Sequence, residues 1–157
     1  MSTPSSAAAR KPKTLRQDAR HLVESCAGWN SRLAARLISQ FLDRELAPTG
    51  LGVAQLGLMA QIASIPDDTL GALARSTGLE QSTLSRNLRT LDAQGLIEIA
   101  VVETDLRRRA VWLTETGARR LEAAIPLWRK AQAKLGRHLA LDLPQKLARQ
   151  AEKLLED

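Results

Sequence analysis

The stretch Leu70–Gly117 reads LGALARSTGL (70–79), EQSTLSRNLRTLDAQGL (80–96) and IEIAVVETDLRRRAVWLTETG (97–117), and the architecture follows from it. The first two pieces have the pattern of two short helices joined by a tight turn. Ala74 is small where a second helix would cross, and Gly78 supplies a turn conformation that a Cβ resists. Leu84 is placed to pack the second helix back onto the first. In that second helix Leu84, Leu88 and Leu91 form one apolar stripe at 100° per residue. Ser82, Ser85, Arg86 and Arg89 fall on the opposite side. Short hydrogen-bonding groups followed by cations suit insertion into the major groove of duplex DNA, where Arg can make two bonds to guanine. Taken alone, the same face also fits any solvated surface helix.

The residues after the helix tilt the balance. Gly95 is placed to end it. Ile97–Val102 is β-branched and apolar enough for a strand, and Ala110–Leu113 is a second strand candidate. Between them Glu103-Thr104-Asp105-Leu106-Arg107-Arg108-Arg109 predicts a hairpin tip with three consecutive arginines. A cationic hairpin beside such a helix is a wing, suited to phosphates or a narrow minor groove. Asp105 is placed to bond Arg107 and hold it extended, so that less side-chain entropy is lost on binding. The alternative, an exposed charged turn, must also explain why the charge sits beside this helix. These residues give the expected DNA contacts: Gln81, Ser82, Thr83, Ser85, Arg86 and Arg89 from the helix, Arg107 in the minor groove braced by Asp105, and Arg108 and Arg109 on phosphates.

Asp105-x-Arg107-x-x-x-Val111-x-Leu113-Thr114-x-x-Gly117 resembles the wing signature of the MarR family. Ser82-Thr83-Leu84-Ser85-Arg86 and Leu91-x-x-x-Gly95-Leu96-Ile97 are similar to its recognition helix and helix exit. The resemblance runs from about Leu22 to the C-terminus. It implies a dimeric winged helix-turn-helix transcriptional regulator, often a repressor released by a small ligand or an oxidant. Family members commonly carry a basic residue in the first wing strand, where this chain has Ile99-Ala100-Val101-Val102. Phosphate contact from the wing therefore falls to Arg107, Arg108 and Arg109.

The chain has 157 residues, a hydrophobic fraction of 44% and a net charge of +6, which suit one compact domain, or one domain with helical arms, and a polyanionic partner. No apolar run approaches the roughly 18 residues that span a bilayer, and no secretory signal opens the sequence. A single cysteine makes no intramolecular disulfide, so a cytoplasmic protein is expected. The aromatics are only Phe41, Trp29, Trp112 and Trp128, which argues against single-strand binding by stacking.

The chain divides into four regions. Residues 1–13 read as a disordered basic tail, small, polar and proline-containing. Residues 14–50 hold a helical seam, with Leu15, Ala19, Leu22, Cys26, Trp29 and Leu33 at alternating gaps of four and three. Gly28 leaves open one long helix or two. Residues 51–113 form the winged helix-turn-helix domain. They begin with a helix over Val53–Ser64, its Leu56, Met59, Ala60 and Ala63 inward, and Thr69 is the expected cap of the next. Residues 114–157 carry a helix from about Glu115 to Leu139, with Pro126 expected to kink it, and a last helix begun by Asp142-Leu143-Pro144. The expected fold is mainly α with a small β-hairpin wing. The first and last helical regions build a dimerisation base, so the DNA site is an inverted repeat with half-sites about 10 bp apart or a small multiple.

Two regulatory routes suggest themselves. In one branch of the MarR family a cysteine near the start of the first helix senses organic hydroperoxides. Cys26 lies in a comparable region, although the tyrosines that partner that thiol have no counterpart here and its place on the seam equally makes it a packing residue. The family's effector pocket usually lies between the dimer base and the winged head. Trp29, Arg32, Arg36 and Trp128 are candidate walls for a small aromatic or acidic ligand. No cofactor and no metal site is expected, because His21 and Cys26 are five apart and His138 is distant. Nothing in the sequence assembles a catalytic constellation, so an enzyme is not expected. A winged helix used for protein contact without DNA is the remaining rival.

Overall fold

The computed structural model describes residues 13–155; of the tail expected over residues 1–13, all but Lys13 lies outside the described residues, and Lys13 begins the first helix. The chain divides into two compact units, Met1–Ile38 and Ser39–Asp157. In the first unit α1 runs over Lys13–Ser25, and α2, Ala27–Leu46, begins there and continues into the second. The break falls at Cys26, two residues before Gly28. The Asn30 side-chain amide donates to the Glu24 carbonyl at 3.1 Å and to the Cys26 carbonyl at 3.0 Å, taking up oxygens at the end of α1. The seam residues Leu15, Leu22, Trp29 and Leu33 are exposed and Cys26 is half-buried.

The second unit is built on one core. A 3₁₀ turn at Ala47–Thr49 ends α2, with Gly50 at φ +71°. Helix α3, Val53–Ser64, starts where Asp43 Oδ1 accepts the Val53 N–H at 2.7 Å. Its buried side is Leu56, Leu58, Met59 and Ile62, while Ala60 and Ala63 are exposed. The larger side chains remove more apolar surface from water, and the helix turns to bury them. Helix α4, Leu70–Thr77, is capped by Thr69, whose hydroxyl accepts the Ala72 N–H at 3.2 Å. It buries Ala72 and Leu73 and leaves Ala74 exposed. Gly78 makes the turn at φ +59°, and α5, Gln81–Ala93, buries Leu84, Leu88 and Leu91 as its spacing predicts.

After Gly95, at φ +66°, strand β1 covers Ile97–Val102 and pairs antiparallel with β2, Asp105–Leu113. The second strand is longer than expected, so the three arginines lie on the strand and the turn itself is Glu103–Thr104. Thr69 forms an isolated bridge to Ala110, and Val111 N–H donates to the Asp68 carbonyl at 2.8 Å, which ties the start of α4 to the hairpin. Helix α6, Glu115–Leu135, continues through Pro126 and stops four residues short of the expected end. Helix α7, Leu143–Glu152, has Pro144 in its first turn and no buried residue. Leu46, Met59, Leu73, Leu91, Leu96 and Val111 are the most deeply buried large side chains and come from five of these elements and a connecting loop.

One junction locks the hairpin to the helices. Thr114 Oγ1 donates to the Gly95 carbonyl at 2.7 Å and accepts the Gly117 N–H at 3.0 Å, capping α6. Thr114 N–H also donates to the Leu96 carbonyl at 3.1 Å. Gly117 is buried, and a Cβ there would overlap the carbonyl oxygen of Leu96. Backbone cannot yield as a side-chain tip can. Gly117→Ala should therefore lower unfolding free energy by about 1–3 kcal/mol or more, read from urea melts. An unchanged midpoint would mean that α6 does not rest on Leu96.

Candidate nucleic-acid interface

The surface opposite the α5 stripe is assembled from the second unit alone. Gln81, Ser82, Ser85, Arg86 and Arg89 are exposed on α5, and Thr83 is half-buried. The N-cap residue of this helix, Glu80, makes no capping hydrogen bond with its side chain. Gln81, Ser85 and Arg89 line a cleft of about 640 Å³ with Ile99 and Arg109 of the hairpin. Helix and wing base thus form one continuous surface.

The wing is shaped by an irregularity that the sequence did not disclose. Val101 pairs with Arg109, but the next residue, Val102, pairs with Asp105. Residues 106–108 therefore have no partner on β1, and the strand bulges there. Bulges re-aim side chains, and this one carries Arg107 and Arg108 out of the ladder. Asp105 sustains it: its Oδ1 accepts the backbone N–H of Arg107 at 3.1 Å. The expected bracing by Asp105 thus acts on the Arg107 backbone, and the two side chains form no ion pair.

Among the described residues the ion pairs are Arg119–Glu115, Lys134–Glu45 and Lys146–Asp142. None involves Arg86, Arg89, Arg107, Arg108 or Arg109, all of them exposed. A cleft of about 390 Å³ beneath the wing is lined by these last three together with Arg75 of α4. Nothing in the sequence singles out Arg75, which is one cation among twenty-three basic residues. The Thr69–Ala110 bridge is what brings its helix to the wing.

The other expected site residues are divided. Trp29 and Arg32 line a groove of about 440 Å³ with Leu22, Val23 and Cys26 in the first unit. Arg36 is exposed and lines no groove with them. Trp128 lines an apolar groove of about 700 Å³ between α3 and α6, with Ala60, Leu121, Ile125 and Arg129. Ala60 and Ala63, expected inward, form part of that wall. Among the described residues no three His, Cys, Asp or Glu side chains come together as a metal site would need, and no single helix is long and apolar enough to cross a membrane.

A family model described as MarR family matches residues 49–108. The solved structure of the M. tuberculosis transcriptional regulator MosR in complex with DNA is 32% identical, covers 83% of this chain and 97% of that one, and superposes with a TM-score of 0.75. The chain belongs to the MarR family. The transcriptional regulator HosA of Escherichia coli is 36% identical over 73 residues, 46% of this chain and 54% of HosA. The α subunit of phenylalanine–tRNA ligase from Pyrococcus horikoshii is 34% identical over 76 residues, 48% of this chain but only 14% of that protein. The chain thus spans about half the length of HosA and a small part of the ligase subunit. MarR-family proteins are DNA-binding transcription regulators and not enzymes, and the mainly helical fold with one antiparallel hairpin is theirs.

The loop before α4 carries a titration signature. The Thr69 hydroxyl first, then the Thr69 N–H at 3.0 Å, hold the Asp67 carboxyl below the ordinary aspartate range, with Arg108 and Arg75 adding to the effect. A folded value below the unfolded one gives a contribution that is present above the ordinary aspartate pKa and lost as pH falls through the folded value. Below about pH 4, the wild type should lose stability more steeply than Asp67→Asn. Equal slopes in acid titrations would remove Asp67 from this role.

Proposed function

We propose that this protein is a homodimeric repressor that grips an inverted-repeat operator in double-stranded DNA and lets go when a small aromatic or acidic effector binds. One observation carries the reading: the exposed polar face of α5 stands beside wing arginines that, among the described residues, form no ion pair. On this basis Gln81, Ser82, Thr83, Ser85, Arg86 and Arg89 enter the major groove. Arg107 enters the minor groove from a bulge held by Asp105, and Arg108 and Arg109 meet phosphates. Similarity to a MosR structure that holds DNA supports it. Residues 51–113 are the reader. Residues 14–50 and 114–157 are the dimerisation base, because Leu22, Trp29, Leu143, Leu147 and Leu155 are exposed apolar side chains that a second copy would cover. The protein acts in the cytoplasm, where operator DNA lies.

Effector release is supported by the groove between α3 and α6. Its ~700 Å³ falls in the range of small-molecule sites, and Trp128 and Arg129 at its edge offer an aromatic wall and a cation for a carboxylate. Trp29 and Arg32 offer the same pairing in the groove that includes Cys26.

Fluorescence anisotropy with DNA flanking the protein's own gene tests the reading. Arg107→Ala should weaken binding to every duplex, whereas Arg86→Ala should also relax base preference, at a cost of about 1–3 kcal/mol. Unchanged affinity of Arg107→Ala across salt concentrations would remove the wing from the interface. In the same assay peroxide should release wild type and Cys26→Ser alike if the thiol only packs. Loss of release in the variant would assign sensing to Cys26.

A further inference from the structure

Four arginines converge where electrostatics alone would keep them apart. Arg107, Arg108 and Arg109 on β2 and Arg75 on α4 line one cleft of about 390 Å³, floored by Thr69 and Gly71. The backbone enforces the gathering. Thr69 bridges Ala110, and Asp68 accepts the Val111 N–H, so β2 is bound to the start of α4 directly after its arginines. Arg75 turns back toward that start: its Nη1 lies 3.5 Å from where a Cβ on Gly71 would stand. The guanidinium therefore lies within ordinary contact distance of the cleft floor.

Among the described residues no neighbouring acid forms an ion pair with the group. Asp67 feels Arg108 and Arg75, but its carboxylate accepts bonds from Thr69, and no ion pair among the described residues involves any of the four arginines. Such a cluster lowers its energy by taking a ligand that carries compact negative charge and several acceptor oxygens, which guanidinium forks match.

We infer that the cleft beneath the wing, with Arg75 as its inner wall, is a phosphate-binding site. The inference rests on the DNA-binding reading for its expected occupant, a backbone phosphodiester flanking the groove that α5 reads. Arg75 makes no base contact there. It anchors the wing from the helix side, so the hairpin arginines are held on the duplex from two elements. A free phosphate or pyrophosphate offers the same chemistry and is the other source of the ligand.

The test compares wild type, Arg75→Ala and Arg75→Lys. Each is titrated with the flanking duplex and with a scrambled duplex over a range of salt, and separately with inorganic pyrophosphate while the Thr69 and Gly71 amides are followed by NMR. Arg75 is exposed, so melting temperatures should match wild type and certify the fold. Arg75→Ala should bind both duplexes about tenfold more weakly, with the salt slope reduced by about one per subunit. Arg75→Lys should recover most of the slope, since it keeps the charge. If wild type binds neither duplex, yet pyrophosphate moves those amides in wild type and not in Arg75→Ala, the DNA reading fails and the cleft stands as a free-phosphate site. If Arg75→Ala matches wild type with both duplexes and pyrophosphate, or if no phosphate of either kind engages the cleft in wild type, the inference is overturned.

Discussion

The second unit depends on a contact between two stretches of backbone. The first turn of α6 lies against the Leu96 carbonyl, at a distance that only glycine at position 117 allows. Thr114 secures the same point with three hydrogen bonds, reaching Gly95, Leu96 and Gly117. The exit of α5, the return of the hairpin and the entry of α6 thus meet in one small volume. The surface shared by α5 and the wing inherits its geometry from this junction. The hairpin cannot swing relative to α5 without breaking bonds at its own base, so the wing arginines and the polar face of α5 are held in a common frame.

Charge is the second constraint, and it works against the fold. Like charges on one face raise the free energy of the isolated protein, and salt screens them only in part. The structure accepts this cost at the wing and places ion pairs elsewhere, on α6, α7 and the end of α2. Asp105 illustrates the division of labour. Its carboxylate, three residues before Arg108, is spent on a backbone N–H instead of on a guanidinium. That choice shapes the bulge and leaves the cations available to a polyanion.

Much of this is legible from residues 69–117. The apolar stripe of α5, the turn glycines and the Thr69 and Thr114 caps are local signals, set by helical periodicity, positive φ and short side chains next to free N–H groups. They need no knowledge of the rest of the chain. Ala74 shows where local reasoning fails. Its small size suggests a close helix crossing, yet α4 buries Ala72 and Leu73 and leaves Ala74 exposed. On α3, likewise, two alanines give way to Leu58 and Ile62, because burial is decided by what lies across the interface and not by the helix itself.

By itself the sequence determined the order of the elements, the polar face of α5 and the presence of three arginines in the wing, since each follows from neighbours within a few residues. That those arginines sit on a bulged strand, that Arg75 joins them and that Gly117 touches Leu96 all depend on long-range packing. The bulge is a matter of strand register, which depends on how two strands align and not on either one alone. The other two contacts join residues more than twenty positions apart. Strand pairing and core packing bring them together, and no periodicity along the chain encodes that.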